Sequence, residues 1–99
     1  MLEDIVKKVS SIRTPYGRVN ELLKGILIPL QEFKKNVEEY ELTKNENCRK
    51  MADENSTQVL ADLKRIVDIL KYQNDQTGLI NIFIRMMEVV WNHRKRIRL

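Results

Sequence analysis

The chain has 99 residues, which suits one domain and would leave each half of a two-domain protein too small to bury a core. Three glycines, two prolines, one Trp, three Tyr and two Phe stand against many Leu, Ile, Val, Lys, Glu and Asn, a balance that argues against a glycine-rich aromatic β fold and for helices. The net charge of +4 comes from 18 bases and 14 acids, and the excess sits wholly in Arg94, Lys95, Arg96 and Arg98, so the rest of the chain is neutral.

The first predicted element is a short helix over residues 2–12. Leu2, Ile5, Val6, Val9 and Ile12 recur at three- and four-residue steps and so share one face. Ser10 and Ser11 weaken its end and Thr14-Pro15 stops it, while the same pair signals a new start: threonine oxygen caps free amides and proline suits the first helical position.

A second helix is predicted over 15–42. Val19, Leu23, Ile26, Leu30, Phe33, Val37 and Tyr40 alternate steps of four and three, the heptad spacing of helices that pack side by side. Leu22, Leu27 and Ile28 widen the stripe, which implies more than one neighbour. Gly25 and Pro29 fall inside the helix, and the proline removes a ladder bond, so a kink is expected near residues 25–29.

Residues 43–56 form the least apolar stretch, and two readings of it stand side by side. Thr43-x-x-Glu46 and Ser56 resemble helix caps, which favours a polar linker over 43–56. A continuous helix carrying Val37, Tyr40, Cys48, Met51 and Ala52 through the region is the alternative. Heptad steps resume with Val59, Leu63, Ile66 and Leu70, predicting a third helix over 57–73. Asn74-Asp75-Gln76-Thr77-Gly78 gathers turn-forming residues and is read as a break.

The fourth predicted helix spans 79–96. From Leu79 to Trp91 only Asn81, Arg85 and Glu88 interrupt an otherwise apolar run, so most of the helix circumference needs cover by other helices, an oligomer interface or lipid. The resulting fold class is all-α, one domain, as an elongated helical hairpin or a three- or four-helix bundle with coiled-coil-like packing.

Chemistry is sparse. One His93 and one Cys48 supply no set of metal ligands, and Cys48 has no nearby base to activate it. The glycines are scattered and follow no strand, unlike a phosphate-cradling loop. No cofactor, metal or catalytic residue is therefore expected. Asn55-Ser56-Thr57 matches a glycosylation sequon, but the acidic start Met1-Leu2-Glu3-Asp4 does not look like a secretory leader, and the expected compartment is intracellular, cytoplasmic or nuclear.

The surplus of apolar helix predicts a protein-interaction or oligomerisation module, a scaffold or adaptor subunit that meets a homo-oligomer or partner helices. Its predicted interface residues are Val19, Leu23, Ile26, Leu30, Phe33, Val37, Tyr40, Phe83, Met87 and Trp91. The alternative is a nucleic-acid or anionic-membrane module acting through Arg94, Lys95, Arg96 and Arg98. Basic residues at a helix C-terminus also complement its dipole without binding anything.

Overall fold

A computed structural model describes residues 2–98. Among these, four helices and no strand occur: α1 (Leu2–Ser11), α2 (Gly17–Thr43), α3 (Glu46–Tyr72) and α4 (Leu79–Arg98). The all-α expectation holds, and the helices assemble as a bundle measuring 43 × 20 × 19 Å.

α1 buries Leu2, Ile5 and Val9, with Glu3 and Asp4 in its first turn and Lys8 in its last, the order of charges that a helix dipole favours. Serine hydroxyls end it by folding back: Ser10 Oγ donates to the Val6 carbonyl at 2.7 Å and Ser11 Oγ to that of Lys8 at 3.3 Å.

α2 starts two residues later than the sequence suggests. Thr14 is not its N-cap, because the Thr14 hydroxyl accepts from the Tyr16 amide at 3.1 Å and so builds a turn of its own. The Asn20 side chain clasps the Thr14 backbone, accepting from its amide at 3.0 Å and donating to its carbonyl at 2.8 Å. Those bonds hold Pro15 and Tyr16 outside the helix. From Gly17 the helix then runs unbroken past Gly25 and Pro29, the proline lying buried on the core face.

The region 43–56 is neither the polar linker nor the continuous helix that the sequence left open. The break is confined to Lys44 and Asn45. Lys44 takes the left-handed conformation (φ 58°) with its amide donating to the Tyr40 carbonyl, and the Asn45 side chain accepts from the Asn47 amide at 2.9 Å as the cap of α3. α3 thus begins at Glu46, eliminating most of the expected linker. Ser56, read as a cap, instead lies fully buried in mid-helix and donates to the Asp53 carbonyl at 2.8 Å. The sequon is helical too, and Asn55 Oδ1 accepts from Asn36 Nδ2 of α2 at 3.0 Å.

The break between α3 and α4 falls where turn residues gather. Asn74 (φ 53°) and Gly78 (φ 88°) carry the two left-handed conformations, and Asp75 accepts from the Thr77 amide. Asp75 also accepts from the Tyr16 hydroxyl at 2.7 Å, tying the α3–α4 loop to the α1–α2 loop.

α2 and α3 share the most extensive contact, α4 packs chiefly on α3, and α1 packs chiefly on α2. One core joins them. On α3 its buried positions are Ala52, Ser56, Val59, Leu63, Ile66 and Leu70, with Val67 beside them. On α4 they are Phe83, Met86, Val90 and Ile97.

Candidate partner-docking groove between α3 and α4

Most of the predicted interface residues face inward. Val19, Ile26, Leu30, Phe33 and Phe83 are fully buried, and Leu23 and Val37 nearly so. They form the core of this one chain, a correction to their assignment as interface anchors. The physical reason is that the helices of the same chain cover this stripe, α3 most extensively and α1 and α4 beside it. Tyr40 is half-buried near the α2–α3 turn, with the Lys44 ammonium 5.4 Å from its ring centre.

The remaining two residues, Met87 and Trp91, come together at a surface feature. Met87 is half-buried and Trp91 is 45% exposed. Both line an open groove of about 650 Å³ between α3 and α4. Its α3 wall carries Leu60, Lys64, Val67 and Lys71, with Ala61 and Asp68 at the rim. Its α4 wall carries Ile84, Met87 and Trp91, with Glu88 at the rim.

The walls have a simple origin in the sequence. The core stripe of α3 runs Val59, Leu63, Ile66, Leu70, and the groove residues Leu60, Lys64, Val67 and Lys71 follow each of these by one position. On α4, Ile84, Met87 and Trp91 likewise follow Phe83, Met86 and Val90. A step of one residue turns a side chain about 100° around a helix, so each helix shows a second stripe beside its core stripe. Leu60, Val67 and Ile84 were not predicted as site residues, though these second heptad-spaced stripes were available to find them.

The basic end of α4 divides into two pairs. Arg94 Nε and Arg98 Nε donate to the same Asp53 oxygen at 3.1 and 2.8 Å, and Ile97 between them is buried. The hydrogen bond from Arg98, with the charges of both guanidinium groups, holds the Asp53 carboxyl below the usual carboxylate range against the opposing effect of burial. The Arg94 side chain is only 14% exposed and its guanidinium carbon lies 5.6 Å from the Trp91 ring centre. Lys95 and Arg96 point to solvent. The structure therefore does not bring the four predicted anion-binding residues into one free cluster.

His93 Nδ1 donates to the Val89 carbonyl at 2.9 Å, and Cys48 is a half-buried free thiol. Among the described residues no three His, Cys, Asp or Glu side chains gather as metal ligands, and no helix is long and apolar enough to cross a membrane. The chain matches no family model, no curated protein and no solved structure.

Proposed function

We propose that the protein is a non-enzymatic interaction module, a scaffold or adaptor subunit, that docks a helix lengthwise in the groove between α3 and α4. The observation that carries this reading is the apolar lining of the groove beside the core. Leu60, Val67, Ile84, Met87 and Trp91 line one depression, and among the described residues no element other than α3 and α4 lines it. A helix laid there would set its own apolar stripe between the two walls, the arrangement by which helices recognise a hydrophobic groove. Trp91 suits the role of anchor, being large, half-exposed and stiffened by Arg94.

The anionic-ligand reading draws less support, since Arg94 and Arg98 already share Asp53 and only Lys95 and Arg96 remain free of it. The test uses a synthetic amphipathic peptide with leucines at alternating three- and four-residue steps. Added to the protein, it should move the emission of Trp91, the only tryptophan, to shorter wavelength and shift amide resonances along the groove walls. Trp91→Glu and Met87→Glu should each abolish binding while the circular dichroism stays helical. A peptide that binds both variants as tightly as the parent would defeat the proposal.

A further inference from the structure

We propose that Asp53, which does not line the groove, is a positioning residue for it: through Arg94 it holds the Trp91 ring in place at one end of the depression. The bearing on binding rests on the docking reading, whereas the pose of Trp91 is a property of the chain alone.

The placement follows from the helix pair. α3 lines the groove from Leu60 to Lys71 and α4 lines it from Ile84 to Trp91. The two helices run antiparallel, so the start of α3 and the end of α4 share one end of the bundle. Asp53 lies about two turns before Leu60 and Arg94 about one turn after Trp91, so both stand just beyond the same end of the groove. There Asp53 Oδ1 accepts from Arg94 Nε at 3.1 Å, and the Arg94 guanidinium carbon stands 5.6 Å from the Trp91 ring centre. Acid, cation and ring form a chain of contact from α3 to the groove.

Burial makes that chain directional. The Arg94 side chain is only 14% exposed, and Asp53 is its one acidic partner among the described residues. A guanidinium so shielded from water is stable while paired, and without its acid it turns outward to be hydrated. That movement takes the cation off the Trp91 face and ends the cation–π attraction. Trp91 is 45% exposed, so nearly half of the residue then has only water to restrain it.

Arg98 plays a different part. Its Nε donates to the same Asp53 oxygen at 2.8 Å, but it lies a turn beyond Arg94 and the cation over the Trp91 ring is that of Arg94. Arg98 therefore ties down the end of α4 without touching the ring. For the groove, the consequence of the Asp53–Arg94 link is an anchor already fixed before a helix arrives. Such an anchor loses less freedom on binding, which for one large side chain is worth about two- to ten-fold in affinity.

The experiment reads Trp91, the only tryptophan, in the free protein by near-ultraviolet circular dichroism and by quenching with acrylamide, which is neutral and so blind to the change of charge. Asp53→Asn and Arg94→Met should each weaken the Trp91 dichroic band and raise its quenching at unchanged far-ultraviolet helicity. Affinity for the leucine peptide should fall by about two- to ten-fold in both. Asp53→Glu, which keeps the acid, should keep the parent's signals. In the Arg94→Met background Asp53→Asn should add nothing, whereas two independent defects would add. Arg98→Gln, which loosens the same helix end but spares Arg94, should leave Trp91 unchanged. Trp91 signals unmoved by Asp53→Asn, or moved as much by Arg98→Gln, would overturn the positioning role. Should the parent protein fail to bind the peptide, the docking reading falls by itself, and the signals of the free protein still decide the role of Asp53.

Discussion

Gly25 and Gly78 show how one residue type serves opposite ends in the same chain. Gly78 has a φ of 88°, which side chains strain to adopt, whereas Gly25 sits in mid-α2 where an added methyl group would meet nothing within 4 Å. Gly25→Ala should therefore raise stability by about 1 kcal/mol, and Gly78→Ala should lower it by about 1–2 kcal/mol, both measurable by thermal or urea unfolding. Asp53 and Tyr16 give the pH dependence. Asp53 is held below its ordinary value, so its pairing is fully present above about pH 5 and is lost as pH falls through the depressed value. Asp53→Asn should flatten the acid limb of a stability–pH profile and cost about 1 kcal/mol at neutral pH, a figure kept small because the side chain is a third exposed. Tyr16 is raised by its hydrogen bond to Asp75, so its contribution is present at neutral pH and disappears as pH climbs above 10 through the raised value. Tyr16→Phe should remove that alkaline step.

At the scale of the element, α3 shows what was legible in the sequence and what was not. Its C-terminal half was read correctly from Val59, Leu63, Ile66 and Leu70, because large apolar side chains mark a heptad plainly. Its N-terminal half stays open between linker and helix in the sequence because the same phase continues through Ser56 and Ala52, whose side chains are small or polar. Both are fully buried against the bundle, and the polarity of Ser56 hides it as core. Ser56→Ala should be neutral or stabilising by up to about 0.5 kcal/mol, since alanine is the better helix former. Ser56→Leu should destabilise by about 1–3 kcal/mol through overpacking. The Asn36–Asn55 pair between α2 and α3 is the polar counterpart. Asn36→Leu leaves Asn55 without its partner and should cost about 1–3 kcal/mol, while the double change to leucine should recover most of that in chemical denaturation. α1 and α4 matched their expected positions within a few residues because proline or clustered turn residues bound them.

For the whole molecule, the all-α class followed from composition and periodicity, but the site did not. Periodicity says that a stripe must be covered without saying by what, and here Val19 through Val37 are covered by the other helices of the same chain, α3 foremost. What stays partly open is Leu60 on α3 with Ile84, Met87 and Trp91 on α4, a grouping visible only when both helices are placed side by side. The pairing at the basic end is hidden for a related reason, since Asp53 lies far from Arg94 and Arg98 in sequence yet faces them in space.

The two-residue connection at Lys44 and Asn45 has a bearing on how this shape comes into being. Closing so small a loop costs little chain entropy, and it unites the two longest helices, so α2 and α3 should zip together first while α1 and α4 arrive later. In stopped-flow kinetics, Phe33→Leu and Leu63→Ala should chiefly slow folding, whereas Val90→Ala should chiefly hasten unfolding. On that schedule the depression beside Trp91 has only one wall until the final helix settles, so the groove takes shape only once the interior beneath it is finished.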